Sequence, residues 1–169
     1  MPGWHGILGS ARLASLFDQL PPPRTILEIG PGCWPATPVH FPTTPIAAVD
    51  WDGEALQAAR RRISHPCFYP VQADAADLPL RRIFDLVVVR HPDLDRHPDR
   101  WARVFARIPG ALCGILVVTT YSAHEMEIIR PWLRPLVAYP VRYDRLSLVT
   151  LDGADRCVVV SQKRSSSGC

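Results

Sequence analysis

Apolar positions recur along the chain in two rhythms. Between residues 10 and 20, Leu13, Leu16, Phe17 and Leu20 fall at helical spacing, with Ser10 as a plausible N-cap and Pro21-Pro22-Pro23 as the stop. Residues 25–29 form a short apolar run that leads into a Gly/Pro turn. Residues 46–49 are a second such run, closed by Asp50, and Asp52 can cap a helix over residues 53–63. Residues 67–72 read as a third strand. Residues 84–89 read as a fourth, apolar enough to be buried on both faces. Trp101, Val104, Phe105 and Ile108 share one stripe of a helix over residues 95–108. A fifth strand spans residues 115–119, and residues 122–133 are helical up to Pro131 or just past it. The rhythm then changes. Residues 143–151 and 156–162 read as two strands joined by the short Gly-containing link 152–155, which predicts a hairpin.

Strands alternating with helices predict an α/β fold with a mostly parallel sheet, ended by an antiparallel pair. The 169 residues suit one domain, with an N-terminal helix within 1–23 and a frayed tail at 164–169. One segment breaks the pattern. Residues 33–45 hold Pro35, Pro38, Pro42 and Pro45, so the first crossover is expected to be irregular or a single turn.

Composition narrows the options. With 47% hydrophobic residues the chain can fold, and its net charge of +3, with Lys163 as the only lysine, is too mild for a nucleic-acid surface. Five scattered cysteines without a CxxC argue against a disulfide framework and a zinc site. The short apolar runs span no membrane, and Met1-Pro2-Gly3-Trp4-His5 does not open a signal peptide, so a cytoplasmic protein is expected.

In a parallel sheet, ligands bind beyond the carboxyl ends of the strands. The first strand ends in Glu28-Ile29-Gly30-Pro31-Gly32, where the glycines permit a tight turn and close approach to a ligand. Glu28 either accepts hydrogen bonds from an ammonium group or anchors the loop. Asp50, about 20 residues on, stands where an acid meets ribose hydroxyls. Near Ala73-Asp74-Ala75 an acceptor for an adenine amino proton is available.

These residues resemble the class I, seven-stranded, Rossmann-like methyltransferases that use S-adenosylmethionine (SAM). Residues 27–32 look like the family's glycine-rich motif, 48–52 like its ribose-binding acidic turn, 73–79 like its adenine-binding turn and 84–89 like its fourth strand. The resemblance implies a three-layer fold with SAM as cofactor. It places Glu28, Gly30 and Gly32 around the methionine part, Asp50 on the ribose, Trp51 against the adenine, and Asp74 with the Ala75 backbone on the adenine edge. The implied activity is methyl transfer, and the Asp-Ala-x-x-Leu-Pro turn is similar to that of enzymes acting on small molecules. No Asn-Pro-Pro-Tyr motif or Pro-Cys nucleophile follows the fourth strand.

After that strand comes Arg90-His91-Pro92-Asp93-Leu94-Asp95-Arg96-His97-Pro98-Asp99. His91 is the candidate general base, because imidazole titrates near neutral pH. Asp93, His97 and Asp99 could together bind a metal, but a loop followed by helix capping is the favoured reading, and no metal is expected. Tyr121 and His124 are candidates for an acceptor site, and Trp4, His5, Leu13 and Phe17 for a lid or ordinary packing. A second reading keeps the fold without catalysis, as a SAM-binding or protein-partner module. It is motivated by the proline-rich crossover and the small size. A nicotinamide dehydrogenase is disfavoured, since Pro35 replaces the third glycine of its fingerprint.

Overall fold

The computed structural model describes residues 11–78, 83–134 and 157–162. Among them the elements run α1 (Ala11–Gln19), β1 (Ile26–Ile29), α2 (Thr37–His40), β2 (Ile46–Asp50), α3 (Gly53–Arg62), β3 (Phe68–Gln72), β4 (Phe84–Arg90), α4 (Pro98–Ala111), β5 (Leu112–Thr120), α5 (Ala123–Leu133) and β6 (Cys157–Gln162). The sheet order is β3-β2-β1-β4-β5-β6. The first five strands are mutually parallel, and β6 runs antiparallel to β5. The expected hairpin partner at 143–151 lies outside the described residues, as do Trp4, His5 and the tail.

Both sheet faces are covered, which is why β1, β4 and β5 are nearly continuous apolar runs. Ile26, Ile46, Leu86, Val88 and Val117 meet Leu13 and Phe17 of α1 on one face. Leu27, Ile29, Val49, Val87, Val89 and Val118 meet α4 and α5 on the other, through residues such as Phe105, Ile108 and Ile129. Leu13 and Phe17 are therefore core residues. β3 is an edge strand and tolerates Pro70, which has no N–H to donate to a neighbour.

The proline-rich crossover forms one turn of helix, the four-residue α2, with proline in its first turn. Two boundaries differ from expectation. α4 starts at Pro98 rather than near residue 95, because a residue before proline is driven out of the helical region. His97 stands at φ −137°, ψ 50°. α4 also continues through Pro109 to Ala111, and β5 follows at once. Cys113 is disulfide-bonded, although the scattered, odd-numbered cysteines argue against a disulfide framework. Among the described residues, no helix is long and apolar enough to cross a membrane.

At the amino end of β1 and β4, Asp85 acts as a bolt. Its carboxylate accepts from the Arg24 and Thr25 backbone N–H groups at 2.8 and 3.2 Å and from the Arg24 guanidinium at 3.1 Å.

Candidate functional site

β1 lies between β2 and β4, so the chain direction across the sheet reverses there. A cavity of ≈ 210 Å³ opens at the carboxyl ends of these strands. Gly30 and Gly32 follow β1, Asp50 ends β2 and Trp51 follows it, Asp74 and Ala75 follow β3, and His91 follows β4; all line the cavity. Of the residues expected to hold the cofactor or to act as the base, Glu28 alone lies outside this lining.

The turn after β1 explains the two glycines. Gly30 and Gly32 have φ of 69° and 57°, the left-handed region that side chains disfavour. A Cβ added to Gly32 would meet open space, so its backbone, not crowding, demands glycine. Asp50 then ties two loops together. One carboxylate oxygen accepts from the Gly32 N–H at 2.9 Å and the other from the Asp52 N–H at 3.0 Å. Asp52 in turn caps α3, accepting from the Glu54 and Ala55 N–H groups.

Glu28 takes the anchoring role. It is 0% exposed. Its carboxylate accepts from the Ala36 N–H at 2.8 Å, the Thr37 N–H at 3.2 Å and the Thr37 hydroxyl at 2.5 Å. A buried carboxylate needs such partners, and here they hold the far end of the glycine loop. In this conformation Glu28 shapes the cavity from beneath without facing it. Two arginines hold the loop's rim. Arg90, which is buried and lines the cavity, donates to the Trp34 carbonyl at 2.8 Å. The Arg62 guanidinium lies 4.3 Å from the Trp34 ring centre. Arg62, in the last turn of α3, thus packs against the loop.

At the opposite end Asp74 folds its loop by accepting from the Ala76 N–H at 2.9 Å. It also pairs with the Arg100 Nε at 3.0 Å. Partial burial pushes the Asp74 carboxyl up. The Arg100 and Ala76 hydrogen bonds and the charges of Arg100 and Arg103 outweigh that and hold it below the ordinary carboxylate range. Trp51 is 65% exposed, and the Arg100 guanidinium sits 5.4 Å from its ring centre.

His91 has φ 46°, the one positive φ outside glycine among the described residues. A residue before proline favours extended backbone at negative φ, so this positive φ is strain held by the surrounding fold. The His91 N–H donates to the Thr119 carbonyl at 3.0 Å, which extends the β4–β5 pairing by one bond. Its ring stacks on Tyr121 with centroids 3.9 Å apart. Asp93 and His97 reach the cavity lining, whereas Asp99 and His124 do not. Among the described residues, no three His, Cys, Asp or Glu side chains converge on a metal position.

Sequence reasoning missed Arg90, Arg100, Trp101 and Val104 in the lining. Trp101 and Val104 were visible only as a helical stripe. Nothing local ties Arg100 to Asp74, 26 positions away.

No protein-family model matches the chain, and no curated protein sequence matches it. Solved structures do match in fold. A ribosomal-protein methylase from Lactobacillus delbrueckii subsp. bulgaricus aligns over 92% of this chain and 79% of its own, with a TM-score of 0.67 at 14% identity. Magnesium protoporphyrin IX methyltransferase from Synechocystis, solved with bound SAM, aligns over 91% and 77%, with a TM-score of 0.65 at 12% identity. A sugar N-methyltransferase from a Streptoalloteichus species aligns over 69% of this chain, with a TM-score of 0.54 at 22% identity. The chain spans 49% of that protein's length, and 41% and 50% of two other methyltransferases it resembles. The five parallel strands, the reversal beside β1 and the cavity at that reversal therefore make this the fold of the class I SAM-dependent methyltransferases.

Proposed function

We propose that the protein binds SAM in this cavity and transfers its methyl group to a small-molecule acceptor. One observation carries the reading: a single cavity gathers Gly30, Gly32, Asp50, Trp51, Asp74, Ala75 and His91 from the ends of four strands. The lining suits the cofactor chemically. Gly30 and Gly32 present backbone without side chains to the methionine part. Asp50 offers acceptor oxygens to ribose hydroxyls, the indole ring of Trp51 suits a flat base, and Asp74 with the Ala75 backbone suits the base's amino edge.

When bound, SAM supplies a methyl group already activated on a sulfonium. The protein's work is then mostly alignment. Glu28 and Asp50 hold the glycine loop still, and Arg90 keeps its rim in place. His91, after β4 and against Tyr121, accepts a proton from an acceptor that must lose one. The Asp-Ala-x-x-Leu-Pro turn that begins at Asp74, similar to that of enzymes acting on small molecules, supports a small acceptor.

The second reading, a SAM-binding module without catalysis, draws on the single-turn α2. Calorimetric titration with SAM, S-adenosylhomocysteine and NAD tests the common core of both readings. Binding of the first two and none of NAD is expected. A folded protein that binds neither sulfur compound would sink the cofactor assignment.

A further inference from the structure

We propose that Arg100 bars the base-binding end of the cavity, and that a purine reaches Trp51 and Asp74 only as Arg100 leaves. The inference rests on the cofactor reading above, but it concerns a residue to which that reading gives no role.

The geometry is restrictive. The Arg100 guanidinium carbon lies 5.4 Å from the centre of the Trp51 ring. A flat base stacked between two groups needs optimal carbon contacts on both sides, roughly 7 Å in all. The base and the guanidinium therefore cannot share that face of Trp51. The carboxylate is engaged as well. One Asp74 oxygen accepts from both the Ala76 N–H and Arg100 Nε, and the other lies 3.0 Å from the same Nε. Arg100 thus holds the stacking surface and the acceptor at once. The available space agrees, since ≈ 210 Å³ falls short of the roughly 300–1,000 Å³ of pockets that enclose small ligands.

The contact is suited to opening. Arg100 projects from the first turn of α4, and Asp74 stands on the loop after β3, so no backbone element must break to part them. Both side chains are partly exposed, at 28% and 30%. Ion pairs of that kind are weak, and the long arginine stem gives the guanidinium many other positions in solvent.

The test uses the full chain and S-adenosylhomocysteine, whose charges balance, titrated at low and high salt. Arg100→Ala and Arg100→Gln should each bind about three- to tenfold more tightly than the parent, the gain expected when a weak ion pair and a weak cation–π contact no longer compete. Salt should tighten binding to the parent by screening the Arg100–Asp74 pair, and should leave Arg100→Ala unchanged. Equal or weaker binding by the folded variants would overturn the barrier, make Arg100 part of the binding wall and leave the cofactor reading standing. Absence of binding by parent and variants alike would overturn the cofactor reading, and the barrier with it. If Arg100→Ala does not fold, Arg100→Gln and the salt dependence of the parent decide the matter.

Discussion

Glu28 and Thr37 are joined beneath the glycine loop by two hydrogen bonds, from the Thr37 N–H and from its hydroxyl, to the same carboxylate oxygen. The other oxygen holds the Ala36 N–H. The first amides of any helix lack partners within it, and those that open α2 are satisfied by a buried side chain from β1 rather than left for solvent.

It follows that Glu28 is first a stability residue. Glu28→Ala leaves two buried amides and a buried hydroxyl without an acceptor and should cost about 3 kcal/mol or more. Thr37→Val should cost less, about 1 kcal/mol, because the amides keep their partner. Urea denaturation midpoints measure both. A Glu28→Ala protein as stable as the parent would show that the clamp does not hold the loop.

Asp50 combines two tasks, since its carboxylate both braces the Gly32 and Asp52 amides and faces the cavity. Asp50→Ala should weaken SAM binding by roughly 1–3 kcal/mol, as expected when a charged hydrogen-bond partner is lost. The measurement is a calorimetric titration on a variant shown to be folded. Affinity unchanged from the parent would remove Asp50 from the site.

How far these roles could be read in advance depends on range. The alternation of strands and helices, the single-turn crossover and the Asp52 cap follow from local periodicity and proline chemistry, and they were legible. Glu28 was legible as a choice between ligand and loop. Deciding it required the fold to bring the Ala36 and Thr37 amides back under β1, eight and nine positions away. Arg100 was illegible because its partners come from two other strand ends, and an arginine on a helix ordinarily signals only a solvated face. The start of α4 was misjudged locally, since the effect of Pro98 on His97 outweighs the helical pattern before it.

The Asp85 bolt makes stability depend on acid pH. The Arg24 hydrogen bond, foremost, and the backbone N–H groups of Arg24 and Thr25 hold its carboxyl below the ordinary carboxylate range. A depressed carboxyl stabilises the fold above its unfolded pKa, about 3.9, and that contribution drains away as pH falls through the lower folded value. Asp85→Asn should therefore be less stable than the parent at neutral pH, by about 1–3 kcal/mol as charged hydrogen bonds are weakened. The gap should narrow below pH about 4. Denaturation of both proteins at neutral and acid pH checks this, and a gap that does not change with pH would exclude the carboxylate charge as its source.

The catalytic role proposed for His91 needs a variant that removes the imidazole without disturbing the backbone. Alanine is a poor choice, because His91 sits at φ 46° and a substitution there mixes loss of chemistry with a change in strain. Asparagine adopts the left-handed region several-fold more readily than most residues and lacks a titratable ring. His91→Asn should hence keep the 3.0 Å bond from its N–H to the Thr119 carbonyl, and with it the end of β4. It does lose the stack on Tyr121, so a modest fall in denaturation midpoint is expected. SAM affinity should hold, since none of the groups assigned to the cofactor changes. Turnover should fall by about 10²–10⁴-fold if the acceptor must be deprotonated, the usual contribution of a positioned base. The readout is single-turnover methyl transfer once an acceptor is in hand, with calorimetry confirming that SAM is still bound. Transfer at the parent's rate by a folded, SAM-loaded His91→Asn protein would leave alignment alone as the source of catalysis and return His91 to the role of a strained strand end.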